Sequence, residues 1–100
     1  MENDFILAER LSYTIRSEVA KAIPKTVDGH EIETTVHLRP SYDDDDMHVT
    51  ITVICPVLQI YESRSFAVNL YKYYVDSEKV IALIKSMTDS ILEKINEKEK

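Results

Sequence analysis

The residues with the most chemistry in them lie between Asp28 and Asp46. Four consecutive aspartates, Asp43 to Asp46, follow a stretch that carries Glu31, Glu33 and His37, and His48 comes two residues later. Clustered carboxylates can hold a cation or dock a basic surface. A calcium loop alternates its ligands with spacers, turns on a glycine and closes with a glutamate. This run has none of those features, so it reads as a solvated loop tip, or else as a docking patch for a basic partner. Two imidazoles beside a carboxylate are ligand types for a transition metal. The plainer reading is a polar open face that uses histidine, and a pH-sensitive surface is preferred to a metal at His37 and His48. No metal and no cofactor is expected.

The remaining candidates are weaker. Cys55 sits in the apolar run Val53 to Val57, and a buried thiol with no base nearby is inert. Tyr71 and Tyr73, with Lys72 between them, have the composition of a base-stacking platform. Strand tyrosines more often pack, or make protein contacts, where tyrosine is enriched. No nucleophile–base pair is placed by spacing, so the chain reads as non-catalytic.

These residues need elements to position them. Ile32, Thr34, Val36 and Leu38 alternate with Glu31, Glu33, Thr35, His37 and Arg39. Val49, Ile51 and Val53 alternate with His48, Thr50, Thr52 and Ile54. This period-two pattern predicts two half-buried strands joined by the aspartate turn. With both apolar faces on one side, two registers remain. One sets His37 across from His48, the other sets Arg39 there. The first leaves the shorter loop and is preferred.

Phe5, Ala8, Leu11, Ile15, Val19 and Ala22 form one helical stripe, which predicts a helix over about 5–23. Asn3 or Asp4 can cap it, and Pro24 stops it. Asp28-Gly29 is the place where a tight turn costs little. Strands are expected over about 31–39, 47–61 (kinked near Pro56) and 66–74, with a second turn at Glu62 to Ser65. Asp76-Ser77 caps a last helix over about 77–96, whose stripe is Val80, Ile81, Ile84, Met87, Ile91 and Ile95. Asn96 to Lys100 are expected to fray.

The fold expected is α+β, with two layers in the order α-β-β-β-α. A three-stranded antiparallel sheet carries both helices on one face, so its other face stays open. That face would show His37, His48, Thr50, Thr52, Ile54 and two of the tyrosines. The element order is shared with the double-stranded RNA-binding domain. That family needs lysines at the start of its last helix, where this chain has Asp76-Ser77-Glu78-Lys79, so membership does not follow.

One hundred residues suit one domain over 1–100. The net charge is −6, and seven acids against one base place all of it between Asp28 and Asp46. The other acids and bases balance. A field of that sign repels nucleic acid and favours a protein partner with a basic surface. One cysteine, no leader-like run and no long apolar stretch point to a cytoplasmic chain that does not enter a membrane. The function expected is that of a small inhibitor or adaptor type of protein-binding domain. It would act through Asp43, Asp44, Asp45, Asp46, Glu31, Glu33, His37, His48, Tyr71 and Tyr73. It would also self-associate, as a homodimer, through its open face or an edge strand. Two other readings remain. One is an acidic mimic of nucleic acid that blocks a nucleic-acid-binding enzyme, as mobile elements use against defence nucleases. The other is an RNA- or DNA-binding domain that uses a tyrosine-bearing sheet face.

Overall fold

The computed structural model describes residues 3–99, with side chains over 5–97. Helix α1 spans Asn3–Ala22 and is followed by a two-residue hairpin, β1 (Thr26–Val27) and β2 (His30–Glu31). Strands β3 (Glu33–Ser41), β4 (Asp46–Cys55) and β5 (Ile60–Asn69) make an antiparallel sheet in the order β3-β4-β5. A short helix α2 (Leu70–Val75) and the long helix α3 (Ser77–Glu99) complete the chain. The fold is α+β, as the sequence pattern implies.

Each long helix is a single apolar stripe. Ala8, Leu11, Ile15 and Val19 are buried on α1, and Val80, Ile84, Thr88, Ile91 and Ile95 on α3. The hydroxyl of the buried Thr88 donates to the Lys85 carbonyl at 2.8 Å, which removes the cost of burying it. Helix α1 packs against α3 and β3, and α3 also packs against β5. Together they cover one side of the sheet. The central strand records this in its alternation. Met47, Val49, Ile51, Val53 and Cys55 are buried, while each residue between them is half-buried.

Several expectations need correction. Phe5 is 61% exposed, so the α1 stripe begins at Ala8. The side chains of Asn3 and Asp4, proposed as caps, lie outside the described ones. Helix α3 continues past Asn96 to Glu99; Lys100 lies outside the described residues. The first strand breaks at Ile32, because the Asp28-Gly29 turn (φ 52° and 79°) folds β1 and β2 into their own hairpin.

The kinked central strand does not form. Strand β4 ends at Cys55, and Pro56–Leu58 make a 3-10 turn closed by Gln59 in the left-handed region (φ 57°). Proline fits the first position of such a turn, where its missing N–H is not needed. The polar group Glu62 to Ser65 is therefore the middle of β5 rather than a turn. Its alternation sends Ser63 and Ser65 outward and turns Arg64 toward α3, where Arg64 Nε donates to Ser90 Oγ at 3.1 Å.

The strand expected over 66–74 stops at Asn69. The Asn69 side-chain oxygen accepts from the Tyr71 and Lys72 backbone N–H groups at 3.0 and 3.1 Å, and α2 starts there. This cap outweighs the strand preference of tyrosine, which reflects packing more than backbone.

Candidate functional site

The register decides which groups meet on the uncovered side of the sheet. Arg39 lies opposite His48, and His37 lies opposite Thr50. The preferred pairing of His37 with His48 is not formed. That pairing would leave a two-residue loop needing positive φ at both Tyr42 and Asp43. The observed four-residue turn, Tyr42 to Asp45, needs it at Asp45 alone (φ 56°), and aspartate tolerates that conformation better than most residues.

The uncovered face has three rows. Strand β3 supplies Glu33, Thr35, His37, Arg39 and Ser41; β4 supplies Asp46, His48, Thr50, Thr52 and Ile54; β5 supplies Tyr61, Ser63, Ser65, Ala67 and Asn69. Small hydroxyl residues dominate. They pair across the strands, Thr50 with Ser65 at 3.0 Å and Thr52 with Ser63 at 3.3 Å. No described element packs over this face. The tyrosine it carries is Tyr61, 69% exposed.

Tyr71 and Tyr73, expected there, stand on α2 instead. Tyr73 is half-buried, and its hydroxyl bonds Thr14 of α1 at 2.8 Å. Its job is to hold α2 against α1. A stacking platform built from Tyr71 and Tyr73 on the sheet is therefore not present.

The acidic turn lies at one end of the sheet and is firmly rooted. The Leu70 N–H donates to the Asp45 carbonyl at 2.7 Å, and Asn69 Nδ2 donates to Asp46 Oδ1 at 3.2 Å. Asp43 and Asp44 are exposed; Asp45 and Asp46 are half-buried. No ion pair joins any of the four to a described lysine or arginine. Glu31 and Glu33 are exposed too, but at the opposite end of the sheet from the turn. No group of three His, Cys, Asp or Glu side chains among the described residues is placed to hold a metal ion.

Both outer strands of the sheet have one backbone carbonyl covered by an arginine. Arg16 donates to the Val36 carbonyl at 3.0 Å, and Arg64 to the Ser63 carbonyl at 2.9 Å. Such cover blunts strand-to-strand association, which leaves the face as the more available surface.

Sequence patterns alone missed three features. Arg39, not His37, stands across from His48, the register the sequence allowed but did not prefer. Tyr61 reaches the face once Pro56–Gln59 is the turn. Phe5, Ile6, Tyr74 and Val75 are exposed apolar groups where α1 meets α2. Beside α2 a groove of about 520 Å³ has Val75, Val80 and Leu83 on its walls and Lys72 and Lys79 at its rim. None of these brings a nucleophile and a base together. No protein family, no curated protein and no solved structure matches this chain.

Proposed function

We propose that this chain is a non-catalytic binding domain of inhibitor or adaptor type. It offers another protein the acidic turn, Asp43 to Asp46, together with the uncovered sheet face that carries Glu33, His37 and His48. The observation that carries this reading is the rigid anchoring of the turn through Asp45 and Asp46. A solvated tip of no consequence needs no such anchoring. Two exposed carboxylates without an ion pair to any described lysine or arginine keep their charge available for a basic surface. The middle of the face, at Thr35, Thr50, Thr52, Ser63 and Ser65, is uncharged, which suits close approach by a partner.

A nucleic-acid mimic would need its carboxylates in a continuous track, since a duplex carries one charge per about 1.7 Å. Here Glu31 and Glu33 are separated from the turn by most of β3, with Arg39 between, so a protein partner is favoured. Self-association as a homodimer through the same face is part of the proposal, and light scattering at rising concentration tests it. A reducing cytoplasm suits the lone thiol of Cys55, which is 1% exposed; no described helix is long and apolar enough to cross a membrane.

The direct test is affinity capture with wild type and with Asp43, Asp44 and Asp45 changed to Asn. Asparagine keeps the shape and tolerates the left-handed position, so the fold is retained while the charge goes. A partner lost by the variant and by high salt supports the reading. A partner kept by both sinks it.

A further inference from the structure

We infer that the uncovered face also holds a site for a tetrahedral oxyanion of the phosphate type, formed by His37, Arg39 and His48. The inference goes beyond the acidic turn and stands without it. Arg39 and His48 face each other across the ladder, and His37 is the next residue on Arg39's side of β3. Groups directly opposite have Cβ atoms about 5 Å apart, and same-face neighbours along a strand are about 7 Å apart. All three side chains therefore border one space on the face. They rim a shallow depression of about 390 Å³ floored by Thr50, Ser65 and Ala67. The small Ala67, opposite His48, leaves room beside the imidazole, and the two hydroxyls supply further hydrogen bonds.

At its rim Arg39 favours an anion. Arg39 is the lone base between Asp28 and Asp46, yet it has no hydrogen-bond or ion-pair partner among the described residues. Its planar fork matches oxyanion geometry. A cation would meet that guanidinium, which excludes the metal reading of the same histidines. The acids on this face are Asp46, Glu33 and, at the turn, Asp44, which accepts from Ser41 Oγ at 3.5 Å. Asp46 is bonded to Asn69 on β5, across β4 from Arg39. Glu33 lies at the far end of β3, and Tyr61 is at the far end of β5. No described element packs over the site, so no other titratable group faces it.

Sulfate is the probe, because it is a tetrahedral dianion. Backbone amide shifts of the full chain are followed during titration with sulfate, against chloride at equal ionic strength; inorganic phosphate is the second probe. The expected result is saturable shifts confined to the residues around 37–39, 48–50 and 65–67. Arg39→Gln should lower the affinity about tenfold or more. Arg39→Lys should recover part of that loss, since it restores charge without the fork. Arg39 is exposed and makes no internal bond, so these variants keep the wild-type spectrum elsewhere. Shifts that do not saturate, that match chloride, or that persist unchanged in Arg39→Gln would overturn the site.

Discussion

Asn69 donates to Asp46 across the β4–β5 ladder at 3.2 Å, while its side-chain oxygen caps α2. One carboxamide thus fixes both the root of the acidic turn and the point where the sheet gives way to helix. Asn69→Ala removes the cap and the cross-strand bond together. The expected cost is about 1–2 kcal/mol, read as a lower midpoint in urea. Asn69→Asp retains a capping oxygen but faces the Asp46 carboxylate, so it should also lose stability, with the loss growing as salt is lowered. Equal stability of all three proteins would show that the anchoring is not used.

The bond between Tyr73 and Thr14 ties α2 to α1. Tyr73→Phe keeps the ring and removes the hydroxyl, and should cost about 1 kcal/mol. Tyr73→Ala also removes the ring from between the helices and should cost more. In a double-mutant cycle, Thr14→Val should add little once Tyr73→Phe is in place, because both changes delete the same bond.

Gln59 holds the left-handed position that closes the turn between β4 and β5, with φ 57°. A residue other than glycine is strained there by about 1 kcal/mol or more. Gln59→Gly should therefore be neutral or stabilising by a few tenths to about 1 kcal/mol, despite the added freedom of the unfolded chain. Gln59→Val should destabilise. Thermal unfolding of the two variants checks the sign.

Ile51 is fully buried at the centre of β4. Ile51→Ala should cost about 2–5 kcal/mol, because the helix layer above it cannot fully collapse into the space. Thr52→Ala, one residue along and on the uncovered face, should change stability by less than about 1 kcal/mol. That contrast between neighbours, measured by denaturant unfolding, reports directly which side of the sheet is covered.

Much of this was legible in the chain. The stripes of α1 and α3 and the alternation of β3 and β4 come from burial on one side, which is written in residue type every two or three to four positions. What failed depended on single residues. Glu62-Ser63-Arg64-Ser65 has the composition of a turn, and its place inside β5 follows from Arg64 finding Ser90 on α3. The run Leu70 to Val75 has the composition of a strand, and one cap at Asn69 makes it a helix. The register turns on Asp45 taking a positive φ, and a shift there changes which residue sits across from His48. The acidic turn was therefore visible in sequence, while the grouping of Arg39 with His37 and His48 was there only as the less preferred of two registers.

The most direct test of the central claim is capture of a partner from the source cell by three proteins: wild type, the Asp43/Asp44/Asp45→Asn variant, and Thr52→Arg in the middle of the uncovered face. The account predicts a protein held by wild type at low salt, released by high salt, lost by the asparagine variant and weakened by Thr52→Arg. A partner bound equally by all three, and still bound at high salt, would contradict it.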